Sequence, residues 1–236
     1  MFKSLEDRLP IKQMIASQIE EAILNKKFEP GSKLPSENEL CVQFGVSRTS
    51  VREAIQMLSA QGLVYIEKGR GIFVSKVTSE SVVSPLQKYL KLKIDKNYVV
   101  DLTHARQILE PAIAKEASLN HDEDDLQRLE NDIELLINCK GGYIELANID
   151  MSFHLNLAKA TKNIVVPLLL KPIHSLIPEI KSTVYATVKD AKDSATIWHR
   201  KILDAVKRRD GESAYEAMVE HLKIAEEHAK KVFVEE

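Results

Sequence analysis

"FGVSRTSVREAIQMLSAQGLV", residues 44–64, decides the fold. Gly45 marks a turn, and Ser47 is a residue type that caps helix N-termini. Arg48, Thr49, Ser50 and Arg52 then crowd the first turns of a helix. Its apolar residues Val51, Ala54, Ile55 and Leu58 recur on one inward face. Gly62 is placed to end it in the left-handed conformation. A helix N-terminus carries partial positive charge and prefers anions. Two arginines and three hydroxyls at that end therefore require a strong anion from outside the chain.

The flanking sequence says which anion. Upstream, Ile11, Ile15, Ile19 and Ile23, with Met14 and Ala22, form one apolar helix face that ends at Phe28, Pro30 and Gly31. Ser36 and Glu39 make a capping box that starts a short second helix before Gly45. Downstream of Gly62 the period changes. "LVYIE", "KGRG" and "IFV" read as two short strands joined by a glycine-rich turn. Helix, helix, tight turn, helix, hairpin is the order of a winged helix-turn-helix, expected over residues 1–76. Such a domain lays the start of its third helix in the major groove of DNA and its hairpin tip against backbone or a neighbouring groove.

The anions are then DNA phosphates. The hydroxyls of Ser47, Thr49 and Ser50 suit phosphate oxygens. Arg48 and Arg52, four apart on one face, each carry a fork that fits a guanine edge. Lys68 and Arg70 sit at the hairpin tip, with Gly69 and Gly71 permitting close approach. Any one of these residues alone would read as solvated surface. Caps, turn glycine, arginine pair and basic wing together weigh against that.

Composition allows a second domain. The chain has 236 residues, 44% hydrophobic and 29% charged, enough for two packed cores. No apolar run has the length of a membrane span, and the first residues lack a signal-peptide core. Cys41 and Cys139 are far apart and in no CxxC pattern. That points to a reducing, cytoplasmic setting without a disulfide framework or cysteine zinc site. The net charge of −2 hides an asymmetry. Residues 1–76 carry +2, from 11 basic and 9 acidic residues, and the remainder carries −4.

"SKVTSESVV", residues 75–83, reads as polar connecting sequence, with the linker itself at 77–83. Residues 84–236 are helical in pattern throughout, six or seven helices forming an antiparallel bundle. The fold class is mainly α, with the small β-hairpin in the first domain. In the helix around residues 100–120, Leu102, Ala105, Leu109, Ala112 and Ile113 form the expected inward face, kinked at Pro111. Asp150 and His154, four apart, project from one side of a helix. His199 opens an inward pattern with Ile202, Leu203 and Val206, and His221 sits beside Met218 and Leu222. One aspartate and three histidines from three helices can converge on a divalent cation, with zinc, nickel, manganese or iron(II) all suited to these donors. The alternative is that each histidine is a hydrogen-bonded core residue. His104, His121, His174 and His228 read as structural or exposed, and Trp198 as core.

Two stretches carry a family resemblance. "LPSENELCVQFGVSRTSVREAIQMLSAQGLVYIEKGRGIFV" resembles the DNA-binding domain of GntR-family transcription regulators, over residues 10–76. The resemblance implies operator contacts at Arg48, Thr49, Ser50, Arg52 and Gly69. Asn38 stands where that family commonly has a basic residue, and Ser50 where many members have proline. "DMSFHLNLAKAT" and "HRKILDAVKRRDGESAYEAMVEHL" resemble the FCD effector domain of the FadR-type subfamily, over residues 84 to about 230. Its metal-binding members place Asp, His, His and His at the positions of Asp150, His154, His199 and His221. The resemblance implies one divalent ion per chain, zinc foremost, and a small carboxylate effector. Arg106 matches a commonly basic position in that cavity. It either clamps the effector carboxylate or pairs with Glu110, four residues on.

The expectation is a ligand-responsive bacterial transcription regulator, without catalytic residues. It binds double-stranded operator DNA as a homodimer, senses a small organic acid through metal, and has no membrane partner. Two alternatives remain. One is a regulator sensing a larger ligand, such as an acyl thioester, without metal. The other is a metalloenzyme joined to a DNA-binding domain.

Overall fold

The computed structural model describes residues 9–76, 79–93 and 98–233. The chain divides into two compact units, Met1–Ser81 and Val82–Glu236.

In the first unit, helices α1 (Ile11–Leu24), α2 (Glu37–Phe44) and α3 (Arg48–Ala60) precede strands β1 (Val64–Glu67) and β2 (Gly71–Val74). The Ser36–Glu39 capping box forms as the sequence requires. Ser36 Oγ accepts from Glu39 N at 3.3 Å, and Glu39 Oε2 accepts from Ser36 N at 2.7 Å. Gly45 and Gly62 close α2 and follow α3 at φ +65 and +77, where a side chain would be strained. The two strands pair antiparallel, Val64 opposite Val74 and Glu67 opposite Gly71. Residues 31–34 add backbone bonds to the outer side of β2: Gly31 N to Val74 O, Val74 N to Ser32 O and Leu34 N to Ile72 O. Val51, Ala54, Ile55 and Leu58 are essentially inaccessible and pack with Ile15, Ile19, Leu34 and Leu40. Ile11 and Met14, expected on the inward face of α1, are instead about half exposed. The core is small, and Ile15, Ala16 and Ile19 already cover it.

The second unit is all helical among the described residues: α4 (Ser79–Lys93), α5 (Tyr98–Asn120), α6 (Glu123–Asn138), α7 (Tyr143–Ala160), α8 (Val165–His174), α9 (Ile177–Thr187), α10 (Ala191–Lys207) and α11 (Gly211–Phe233). That is eight helices, not six or seven. The additional helix arises because the proline-rich stretch splits into α8 and α9. Residues 79–83, expected as linker, belong to α4, and residues 77–78 lie outside the described ones. A serine-rich polar start is compatible with a helix N-terminus, and acidic Glu80 in the first turn favours it. α7 packs against α5, α6, α8 and α9, and α11 packs against α5 and α10.

The face of α5 is rotated from its sequence reading. Leu102 is buried as expected, but Ala105, Leu109 and Ile113 are half-buried and Ala112 is exposed, while Arg106, Glu110, Ala114 and Ala117 are buried. Hydrophobic periodicity misassigns this helix because its buried stripe carries charges. Trp198 is half-buried rather than core, with Lys201 Nζ 3.8 Å from the ring centroid.

Candidate functional site

In the first unit the polar start of α3 is exposed. Ser47 caps it, its Oγ accepting from Ser50 N at 3.2 Å and lying 3.0 Å from Ser50 Oγ. Thr49 and the arginines face solvent. Arg48 Nε donates to Asn38 Oδ1 at 2.8 Å. Arg52 reaches Glu37 from Nε at 3.3 Å and from Nη2 at 3.1 Å, with the arginine side chain 65% exposed. Both guanidiniums are thus held by consecutive residues of α2. Spacing within one helix could not reveal that, because the pairs lie 10 and 15 residues apart. At the tip between β1 and β2, Lys68, Gly69 and Arg70 are exposed, and Gly69 takes φ +78. Arg70 pairs with Glu67 and lies over the Phe73 ring. A row of exposed cations with hydroxyls at a helix N-terminus can bind a phosphate backbone and present forks to base edges.

The second unit brings together side chains far apart in sequence. Asp150 and His154 extend from α7, His199 from α10 and His221 from α11, all four nearly inaccessible. Donor atoms of the three histidines lie within 4.8 Å of one another. His199 Nε2 is 3.3 Å from both His154 Nε2 and Asp150 Oδ1. His221 Nε2 is buried with no hydrogen-bond partner among the described residues. Phe153 stacks on the His199 ring at 4.0 Å, which fixes its plane.

Around these four lies a shell of which sequence spacing showed only the Arg106–Glu110 pair. Glu110 Oε2 lies 2.5 Å from His154 Nδ1, and Glu110 Oε1 receives Arg106 Nε at 2.6 Å and His174 Nε2 at 2.8 Å. Arg106 therefore pairs with Glu110, and its Nη2 also reaches His154 Nε2 at 3.3 Å. His174, unassigned from sequence, is buried here. Lys181 Nζ sits 2.6 Å from Asp150 Oδ2 and 5.2 Å from the Tyr185 ring centroid. The i, i+4 spacing on α5 did signal the Arg106–Glu110 pair, though not the reach of Glu110 to His154 and His174. Nothing local signals Lys181 or His174.

The electrostatics favour donors with free lone pairs. Burial, reinforced by neighbouring rings and cations, pushes His221 well below its ordinary pKa, and burial does the same to His199 against the pull of Asp150. Both imidazoles are neutral at physiological pH. Burial opposes ionisation of Asp150, but Lys181 and the histidines outweigh it and hold the carboxyl below its usual range. Burial likewise opposes ionisation of Glu110, and Arg106, His154 and His174 outweigh it. Two buried cations, Arg106 and Lys181, thus face two buried carboxylates, Glu110 and Asp150. Three imidazoles, two of them held neutral, and one carboxylate fit a divalent transition-metal ion.

Beside this centre lies a small cavity of about 30 Å³, lined by Thr103, Arg106, Ile180, Lys181, Val184 and His228 among others. Among the described residues, no helix is long and apolar enough to cross a membrane.

A winged helix-turn-helix joined to a helical unit with a buried polar centre defines a DNA-binding regulator that responds to a ligand. Comparison with known proteins gives the family. Residues 11–74 match the model of the bacterial regulatory proteins of the gntR family, and residues 101–223 match the FCD domain. The chain is 32% identical to the HTH-type transcriptional regulator LutR of Bacillus subtilis, over 90% of this chain and 98% of that one. It is 28% identical to the putative L-lactate dehydrogenase operon regulatory protein of Escherichia coli, over 88% and 82% of the two chains. The solved structure of a Streptococcus agalactiae GntR protein shares the fold, with a TM-score of 0.63 at 24% identity over 92% of this chain and 99% of that one. The protein belongs to the GntR family, in its FadR-type branch with an FCD domain. It is a transcription regulator and not an enzyme, which sets aside the metalloenzyme alternative.

Proposed function

We propose that this regulator binds operator DNA as a homodimer and senses a small carboxylic acid through one divalent metal ion per chain, zinc foremost. Its setting is cytoplasmic. Ser47, Arg48, Thr49, Ser50 and Arg52 of α3 meet the operator, with Lys68, Gly69 and Arg70 of the wing. A palindromic operator needs two recognition helices, and each chain has one. On the second unit, Ile108 of α5 and Val166 and Leu169 of α8 border an apolar groove of about 320 Å³, a surface suited to a second copy of this chain.

Asp150, His154, His199 and His221 would hold the ion, with Arg106 facing the acid. The observation that carries this is the buried His221 Nε2, unpartnered and aimed into a cluster of two further histidines and a carboxylate. Buried polar atoms are ordinarily hydrogen-bonded, and a metal ion would satisfy this one. A bound divalent ion supplies two positive charges to a centre whose own charged side chains balance, which attracts an anion. One relative is named for an L-lactate dehydrogenase operon, which supports a small organic acid. The acyl-thioester alternative is disfavoured, since the cavity beside the centre holds only a few atoms. Gel-shift titration on the native operator tests the proposal. The acid response should disappear after chelation and return with added zinc. A response indifferent to chelation would contradict it.

A further inference from the structure

Arg48 and Arg52 are held in two different ways. Arg52 donates from Nε and Nη2 to the two carboxylate oxygens of Glu37, at 3.3 and 3.1 Å. Arg48 donates from Nε, at 2.8 Å, and from Nη2 to the single amide oxygen of Asn38. Both contacts use the side edge of the guanidinium. The end edge, Nη1 and the outer hydrogen of Nη2, is left to each arginine. The two holders are the first residues of α2, fixed in place by the Ser36 cap before them. The Arg52–Glu37 pair carries no net charge, whereas the Arg48–Asn38 pair keeps one positive charge.

We propose that Glu37 and Asn38 are positioning residues that give the two arginines different tasks, making Arg52 a reader of guanine and Arg48 chiefly a cation for phosphate. This rests on the assignment of α3 to the operator in the reading above. Two arguments carry it. The first is charge. Phosphate binding follows positive charge and counterion release, whereas a guanine edge is read by a pair of donors in fixed geometry. The carboxylate on Arg52 offsets its attraction for phosphate and leaves its end edge intact. The amide on Arg48 offsets none of it. The second is order. An exposed ion pair adds little stability, and the Arg52 side chain is 65% exposed. What the pair supplies is a guanidinium oriented before DNA arrives, which lowers the ordering cost of a geometry-dependent contact. Glu37 is itself favoured at the N-terminus of α2, so the holder is fixed. Neither α2 residue needs to touch DNA.

The test selects duplexes from a randomised library with the full-length protein, then measures affinity for a selected duplex, its single-base variants and an unrelated duplex at several salt concentrations. Arg52→Ala should lower the preference for guanine at one position about tenfold. Glu37→Ala should lower preference at the same position although Arg52 is still present, and should steepen the salt dependence by about one phosphate contact. In the Arg52→Ala background, Glu37→Ala should have no further effect on base preference. Asn38→Asp should give Arg48 the character of Arg52, with salt dependence shallower by about one contact and a sharper guanine preference at a second position. An unchanged preference in Glu37→Ala, where Arg52→Ala changes it, overturns this inference and leaves α3 on the operator. An unchanged preference in Arg52→Ala overturns both. A shallower salt dependence in Asn38→Asp without the sharper preference overturns the task given to Arg48.

Discussion

Glu110 Oε2 lies 2.5 Å from His154 Nδ1, with both side chains at most 1% exposed. A carboxylate at that nitrogen fixes the tautomer, placing the proton on Nδ1 and the lone pair on Nε2. That lone pair faces His199 Nε2 at 3.3 Å. Carboxylate partners of this kind orient metal-binding histidines and raise their basicity.

Glu110→Gln should therefore lower metal affinity about 10–100-fold while every proposed ligand remains. Competition against a chelator of known affinity measures it. Unaltered affinity would reduce Glu110 to a counter-ion for Arg106.

On the DNA side, Arg52→Ala should cost about 1–3 kcal/mol of operator binding and relax preference at one base position. Glu37→Gln releases Arg52 from its pair, so non-specific binding should strengthen and its salt dependence steepen. Lys68→Ala should weaken all sequences about equally and reduce the salt slope by about 1. Binding to a library of operator variants at two salt concentrations separates these outcomes. Identical sequence profiles for Arg52→Ala and the unmutated protein would remove α3 from base readout.

Asp125 predicts a pH dependence of stability. It stands at the third position of α6, 2.5 Å from both Lys162 Nζ and Arg128 Nη2, with its side chain 1% exposed. Burial opposes its ionisation, but Lys162, the Asp122 N–H and Arg128 win and hold it at about 2, against 3.8 ordinarily. The unfolded chain takes up the proton first. The stabilisation is complete above pH 4 and is lost as pH falls toward 2. It amounts to about 2 kcal/mol. Asp125→Asn should lose that much at pH 7 and show a shallower acid decline in urea melts. An acid limb identical to the unmutated protein's would show that Asp125 does not drive it.

The first unit was legible in sequence because its signals are local. Ser36 with Glu39, Gly45, Ser47 and Gly62 each act within a few residues, and the structure seats each as read. The convergence of Asp150, His154, His199 and His221 came from resemblance together with helix periodicity. The Arg106–Glu110 pair was legible as an i, i+4 spacing, but the contacts of Glu110 with His154 and His174, and the arrival of His174 and Lys181, were hidden because α8 and α9 bring them in by tertiary packing. On α5 the buried stripe includes Arg106 and Glu110, so periodicity placed the face slightly off, with Leu102 buried as read but Ala105, Leu109 and Ile113 only half-buried. The early start of α4 was hidden for a related reason. "TSESVVSP" has the composition of a loop and forms helix from Ser79 onward.

The most direct measurement is the metal content of protein purified without chelators or metal-affinity steps, together with its melting temperature before and after dialysis against chelator. About one divalent ion per chain should be present. Its removal should lower the melting temperature, because an ion that binds only the folded state stabilises it. His221→Ala should lose most of the ion and keep its helical spectrum. Protein that carries no metal, and whose melting temperature does not respond to zinc, nickel or manganese, would contradict the account and return Asp150, His154, His199 and His221 to the core.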